Sequence, residues 1–187
     1  MYIINKDQPI MRDKNQTEGL MDLIKELGDV SNKTMIEIGS FIGESTVLFA
    51  RQFKHVTAID PFLPDYDPQD PTCNNNFDFE QVFQEFKNRI EEQKEKVTIY
   101  RMRSCDAVGP LTGEKFDFIY IDGLHTYDGV RMDILDYLPF LKEGGVIGGH
   151  DYGTQTQHLL GVTKAVDEVL GKPDKTFKDG SWIKHIK

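Results

Sequence analysis

The stretch Met35-Ile36-Glu37-Ile38-Gly39-Ser40-Phe41-Ile42-Gly43-Glu44-Ser45-Thr46 constrains this chain more than any other. An apolar run ends at a glycine-bracketed loop, and helical spacing begins immediately after it. Strand, tight turn and helix N-terminus in that order form a cradle for a nucleotide-like ligand. Gly39 permits a positive φ and a close ligand approach at the strand end, and Gly43 lets the helix start near the strand without an intervening Cβ. Val47, Leu48, Ala50 and Phe53 are the apolar positions expected to pack the helix down. The loop is not a dinucleotide fingerprint. G-x-G-x-x-G needs a glycine two positions after the first, whereas Ser40 and Phe41 follow Gly39.

The remaining pattern alternates buried strands with amphipathic helices. Leu20, Met21, Leu23, Ile24 and Leu27 recur at helical spacing within 13–27, and Gly28 ends that helix. Strands are expected at Thr34–Ile38, at His55–Asp60, over 96–101, at Phe116–Asp122 and over 146–149. Helices are expected from the glycine loop to Gln52, around Phe79–Ile90, and over 127–141 and 159–170. A terminal hairpin should turn at Asp179-Gly180. Such alternation implies a mostly parallel sheet covered on both faces, with its ligand beyond the carboxyl ends of the strands. Gly39, Asp60, Ser104, Asp122 and His150 all fall at such ends.

Asp60 lies ~20 residues past the glycine loop, where a carboxylate can accept hydrogen bonds from ribose hydroxyls. The alternative for it is a plain strand-end acid before Pro61. His125 and His150 are candidate bases because imidazole titrates near neutral pH. Capping or solvation competes for His125, and a structural hydrogen bond for His150.

Residues 1–12 read as an irregular arm, and 61–76 as an aperiodic loop with four prolines, three acids and an Asn-Asn-Asn run, suited to a lid. At 187 residues a single domain over 1–187 is expected, burying roughly 70% of its unfolded surface. The net charge of −9 opposes a nucleic-acid backbone as main partner. No apolar run is long enough for a membrane span, and no secretory signal precedes the first helix. Cys73 and Cys105 lie in no metal-ligand spacing, so reduced thiols in a cytoplasm are the expectation. The oligomeric state is not legible, and a homodimer is left open.

Two further blocks follow motif-like spacing: Ile121-Asp122-Gly123-Leu124-His125-Thr126-Tyr127 and Gly144-Gly145-Val146-Ile147-Gly148-Gly149-His150-Asp151-Tyr152. With the E-x-G-x-x-x-G loop and the acid-ended second strand, the chain from about Asp13 onward resembles the class I S-adenosylmethionine-dependent methyltransferases. The likeness is to their small-molecule O-methyltransferase branch. It implies a Rossmann-like, doubly wound α/β sheet of seven strands, mostly parallel, with a C-terminal antiparallel hairpin. It also implies S-adenosyl-L-methionine as cofactor, S-adenosyl-L-homocysteine as product and a small polar methyl acceptor.

By that resemblance Glu37, Gly39, Ser40 and Gly43 surround the methionine part of the cofactor. Asp60 holds the ribose, Ser104 or Asp106 meets the adenine, and Asp122 lies beside the methionyl amine and the transferred methyl. Asp122, His125 and His150 are then the catalytic candidates. Related enzymes place an acid after strand four and an acidic pair after strand five, so Asp122, His150 and Asp151 are the candidate ligands of Mg²⁺ or another divalent cation. His-Asp in place of two oxygen ligands is a departure from that pattern. A NAD-dependent oxidoreductase is disfavoured by the missing glycine and the absence of a Tyr-x-x-x-Lys pair. A catalytically inactive cofactor-binding protein of the same fold is the other alternative, opposed by the intact acids at 60 and 122. A nucleic-acid methyltransferase ranks lowest, with no Asn/Asp-Pro-Pro-Tyr motif and no basic stripe.

Overall fold

A computed structural model describes residues 12–64 and 78–187. The arm up to residue 11, most of the expected lid loop and Cys73 lie outside the described residues. In chain order the elements are α1 (Lys14–Glu26), β1 (Thr34–Ile38), α2 (Glu44–Gln52), β2 (His55–Ile59), α3 (Phe79–Ile90), β3 (Val97–Tyr100), α4 (Ser104–Ala107), β4 (Phe116–Ile121), α5 (Tyr127–Tyr137), β5 (Leu141–Gly149), α6 (Leu160–Leu170), β6 (Lys175–Thr176) and β7 (Trp182–His185).

The strands form one seven-stranded sheet in the order β3-β2-β1-β4-β5-β7-β6. Pairings are parallel except at β7, which runs against both β5 and β6. From β1 the chain winds outward through β2 to β3 on one side, then crosses back to β4 and on to β5 on the other. The segments that leave the paired carboxyl ends of β1 and β4 therefore part around a crevice, the place where such sheets bind ligands.

Alternation along each strand divides the core. Ile36, Ile38, Ile59, Ile119 and Ile121 pack against α4, α5 and α6. Met35, Val56, Phe118 and Tyr120 face α1 and α2, and Ala58 meets α3. Tyr120, Phe49, Phe53 and Phe118 interlock there, with Phe49 edge-on to Tyr120 at 5.0 Å between centroids. No helix among the described residues is long and apolar enough to cross a membrane.

Several local expectations need correction. The buried face of α2 is Ser45, Thr46, Phe49 and Ala50, continued by Phe53, while Val47 and Leu48 are only half-buried. Thr46, Phe49, Ala50 and Phe53 are the set spaced i, i+3, i+4, i+7, and Phe49 belongs to it. Helix α5 stops at Tyr137, because Pro139 lacks an N–H and tightens the next turn into a 3₁₀ segment, Leu138–Phe140. Strand β5 already begins at Leu141, opposite Phe116, and pairs again from Val146 after an irregular stretch around Gly144. Just past β3, Ser104 opens a one-turn helix. Helix α1 carries a reciprocal cap at Asp13, whose carboxylate accepts from Gln16 N–H while the Gln16 side chain accepts from Asp13 N–H.

Candidate active site

The glycine loop is held by a single carboxylate. Asp60, just past β2, accepts from Ser40 N–H (3.0 Å) and Phe41 N–H (2.8 Å) on Oδ2, and from Phe62 N–H (2.7 Å) on Oδ1. Phe41 and Phe62 both have positive φ, 42° and 47°. Left-handed backbone at a non-glycine residue costs of order 1–3 kcal/mol and persists where surroundings enforce it. Here Asp60 enforces it at both turns. Burial raises its pKa against the three N–H donors. Oδ2 is filled by its two donors, so the remaining lone pair on Oδ1 is the acceptor a ribose hydroxyl could use.

Gly39 is at φ +85°, and a Cβ added there would lie 2.0 Å from the Asp122 carbonyl oxygen. Gly43 caps α2 at φ +81° with the Phe86 ring 3.0 Å from where a Cβ would be.

Glu37 lies beneath the loop, fully buried, and its Oε2 accepts from the Ser40 and Thr46 hydroxyls. Burial pushes its pKa up to about 7, although hydroxyls of Ser45, Thr46 and Ser40 pull the other way. Its contacts tie strand, loop and helix together. A raised acid binds its proton more tightly when folded, so stability should fall as pH rises from about 4.5 to 7 and stay lower above. Glu37→Gln is therefore expected to raise stability by about 1–2 kcal/mol at pH 8, with the gain shrinking towards pH 5. Urea unfolding at the two pH values checks this, and an equal change at both would refute it.

Beside the loop, a cleft of about 200 Å³ opens between β1, β2, α4 and α5, lined by Ile38, Gly39, Pro61, Ser104, Leu124 and Asp133 among others. Ser104 borders it, with its carbonyl fixed by the Tyr137 hydroxyl at 2.7 Å. Asp106 is exposed and outside the lining. Asp133 is almost fully buried, and burial pushes its pKa up to about 7 against a hydrogen bond from Ser104. The sequence reading missed Asp133, although an acid on the buried stripe of α5, beside Val130, Ile134 and Tyr137, was a visible signal.

At the ends of β4 and β5 the charged residues converge. Asp122 Oδ2 accepts from Arg12 Nη2 at 2.8 Å, while Oδ1 lies 3.7 Å from His125 Nε2 and 3.8 Å from His150 Nδ1. Asp151, at φ 62°, turns Oδ2 to His125 Nε2 (3.3 Å) and Oδ1 to His150 Nδ1 (3.2 Å). Behind them the Asp179 side chain is buried, accepts from the N–H and hydroxyl of Ser181, and lies 3.9 Å from His150 Nε2. Burial alone would raise Asp122, but His150, His125 and Arg12 hold it down to about 2. Burial likewise opposes the charged form of His150, and Asp122 and Asp151 outweigh it, so its pKa is raised.

One group of three potential ligands among the described residues meets at metal-like spacing: Asp122, His125 and Asp151, with ligand atoms within 4.8 Å of one another. His150, picked from the sequence as a ligand, instead contacts both acids from the side facing Asp179. Arg12 and Asp179 were missed. One sat in an apparent arm and the other in a turn, and no local pattern marks either as a site residue.

Comparison with known proteins places the chain in a family. The profile of a family described as a methyltransferase domain matches residues 36–152, the stretch from the glycine loop through the acidic cluster. An O-methyltransferase from Bacillus cereus, solved in complex with SAH, superposes with a TM-score of 0.64 at 17% identity, over 94% of this chain and 82% of its own. TomG from Streptomyces achromogenes, an O-methyltransferase of tomaymycin synthesis in complex with SAM, gives 0.62 at 16%, over 95% and 82%. A precorrin-8w decarboxylase from Methanobacterium thermoautotrophicum gives 0.61 at 16%, over 90% and 77%, so the fold also serves other chemistry. No curated protein matches the sequence. With its glycine loop, cleft and acidic cluster all inside or beside the matched segment, the chain belongs to the methyltransferase-domain family.

Proposed function

We propose that the protein is an S-adenosylmethionine-dependent methyltransferase acting on an oxygen of a small polar acceptor, with S-adenosylhomocysteine as product. The observation that carries this reading is a single crevice. It combines a glycine loop closed on Asp122, a ribose-reaching acid at Asp60, and a largely apolar cleft bordered by Ser104. The cofactor supplies a methyl group on a sulfonium. The chain's own part is to hold donor and acceptor in line, since positioning provides much of the acceleration in such transfers.

An oxygen acceptor must also lose a proton. His150, its Nδ1 turned to Asp122 and Asp151, favours its protonated form and suits an electrostatic role better than that of a base. His125 faces the same two acids but is the more exposed of the two rings, 20% against 10%, and so is the imidazole that an acceptor can reach.

The same three groups, Asp122, His125 and Asp151, fit a divalent cation, two carboxylates and one imidazole being a usual donor set for borderline metals. An imidazole suits Mn²⁺, Co²⁺ or Zn²⁺, whereas Mg²⁺ prefers oxygen donors alone. A cation held there would lower the pKa of a coordinated hydroxyl. His125 would then be a ligand and not the base.

Calorimetric titration with S-adenosylhomocysteine and, separately, NAD⁺ tests the cofactor, and methyl transfer to a panel of hydroxylated small molecules tests the reaction. Micromolar binding of the former alone is expected, and tighter binding of NAD⁺ would end the proposal. Asp151→Ala and His125→Ala should each lower turnover about 10²-fold or more. Added Mn²⁺ should change the wild-type rate, and EDTA reverse it, if the cation version holds. Unchanged turnover in both variants would sink both versions.

A further inference from the structure

Arg12 stands where an irregular arm was expected, yet its side chain is driven into the crevice. The guanidinium is 11% exposed. Its main-chain N–H donates to Glu44 Oε2 at 2.8 Å, at the first turn of α2, and its Nη2 donates to Asp122 Oδ2 at 2.8 Å, at the end of β4. The residue therefore links the start of α2, where the glycine loop ends, to the end of β4, whose Asp122 carbonyl lies against Gly39. Its Nη1 is buried with no hydrogen-bond partner among the described residues, with Asp179 Oδ2 at 3.8 Å and Tyr120 also beside the guanidinium. A buried donor left unmade costs about 1–3 kcal/mol, more when charged, so a partner brought by a ligand would recover that cost.

The chemistry of that partner follows from what surrounds the group. Arg12 and Asp122 present a guanidinium and a carboxylate in contact, one of each sign, at the mouth of the glycine loop. An α-amino acid end group is the matching pair of charges, an ammonium for the carboxylate and a carboxylate for the guanidinium. A guanidinium receives a carboxylate through parallel N–H donors, geometry that an ammonium does not offer.

We propose that Arg12 binds the carboxylate of the cofactor's amino-acid end, while Asp122 receives its ammonium. The proposal rests on the S-adenosylmethionine reading and adds the residue that recognises the tail. It makes Arg12 a binding residue, supplied by the position just before the Asp13 cap of α1.

The test uses three ligands that share the nucleoside and differ in the tail. S-adenosylhomocysteine has both charges, its decarboxylated analogue (the 5′-adenosyl thioether of 3-aminopropane thiol) keeps the ammonium alone, and 5′-methylthioadenosine has neither. Wild-type protein should bind the first at least tenfold more tightly than the second. Arg12→Gln should weaken the first tenfold or more and leave the other two within about twofold, with Arg12→Lys intermediate. Equal weakening of all three would show Arg12 to be structural, and tighter binding of the first would show it to be a plug displaced by the cofactor. Either result overturns the proposal. If Arg12→Gln does not fold, the wild-type ratio of the first two ligands still decides, because a ratio near one overturns it. Failure of all three to bind wild-type protein would bring down the cofactor reading itself, and the assignment of Arg12 with it.

Discussion

Gly39→Ala is expected to destabilise the protein by about 3 kcal/mol or more and to abolish S-adenosylhomocysteine binding. Two costs combine. At φ +85° an L side chain strains against its own backbone by roughly 1–2 kcal/mol. The added Cβ would also lie 2.0 Å from the Asp122 carbonyl oxygen and 2.4 Å from its carbon. Neither neighbour can turn aside as a side chain could. The Asp122 N–H donates to Ile38 O at 2.8 Å and the Gly39 N–H to Ile59 O at 2.8 Å, so three strand ends would have to move together. Overpacking of that kind adds roughly 1–3 kcal/mol. Urea unfolding and calorimetry check the two parts. A variant with wild-type stability and affinity would mean that β1 and β4 separate more easily than this contact implies.

Asp122→Asn is expected to lower turnover about 10³-fold. The substitution removes the one negative charge shared by Arg12, His125 and His150 while keeping its shape. It leaves the Arg12 guanidinium, 11% exposed, with Asp179 at 3.8 Å as its nearest acid. Breaking a buried pair from one side costs on the order of 3 kcal/mol, because the surviving charge loses its partner. Arg12→Gln added to Asp122→Asn should restore part of that stability, since the two residues touch and their effects cannot be additive. It should not restore turnover, for the carboxylate remains absent. Steady-state methyl transfer and chemical unfolding of the four proteins in the cycle check both statements. Recovery of turnover in the double variant would show that Asp122 serves only to neutralise Arg12.

The parts of this site legible in the sequence are those that local pattern specifies. A buried run, a glycine and an acid at one strand end declare themselves, so Gly39, Asp60, Asp122 and His150 could be found without coordinates, as could the sheet that carries them. Phe49 was overlooked because four apolar residues, Val47 to Ala50, follow Thr46 in succession, and only the helical period shows which of them face inward. Arg12 and Asp179 belong to another class. Each stands in a polar, aperiodic neighbourhood, and nothing near it in sequence states that the two will meet across the end of β4. The grouping of Asp122 with His125 and Asp151, and not with His150, likewise depends on the left-handed turn at Asp151, a backbone state that no residue type announces.

Strand β7 enters the sheet between β5 and β6, reversed with respect to both. During synthesis β1 to β5 can pair as they emerge, but β5 then waits as an uncovered edge until Trp182–His185 are made. Asp179, on the turn just before them, arrives at the same moment, and with it the acid that backs His150 and Arg12. Until then an apolar edge is open to other chains. A chain cut before residue 179 would lack both the strand that covers β5 and the acid behind His150, so closing the edge and completing the charged cluster are one event.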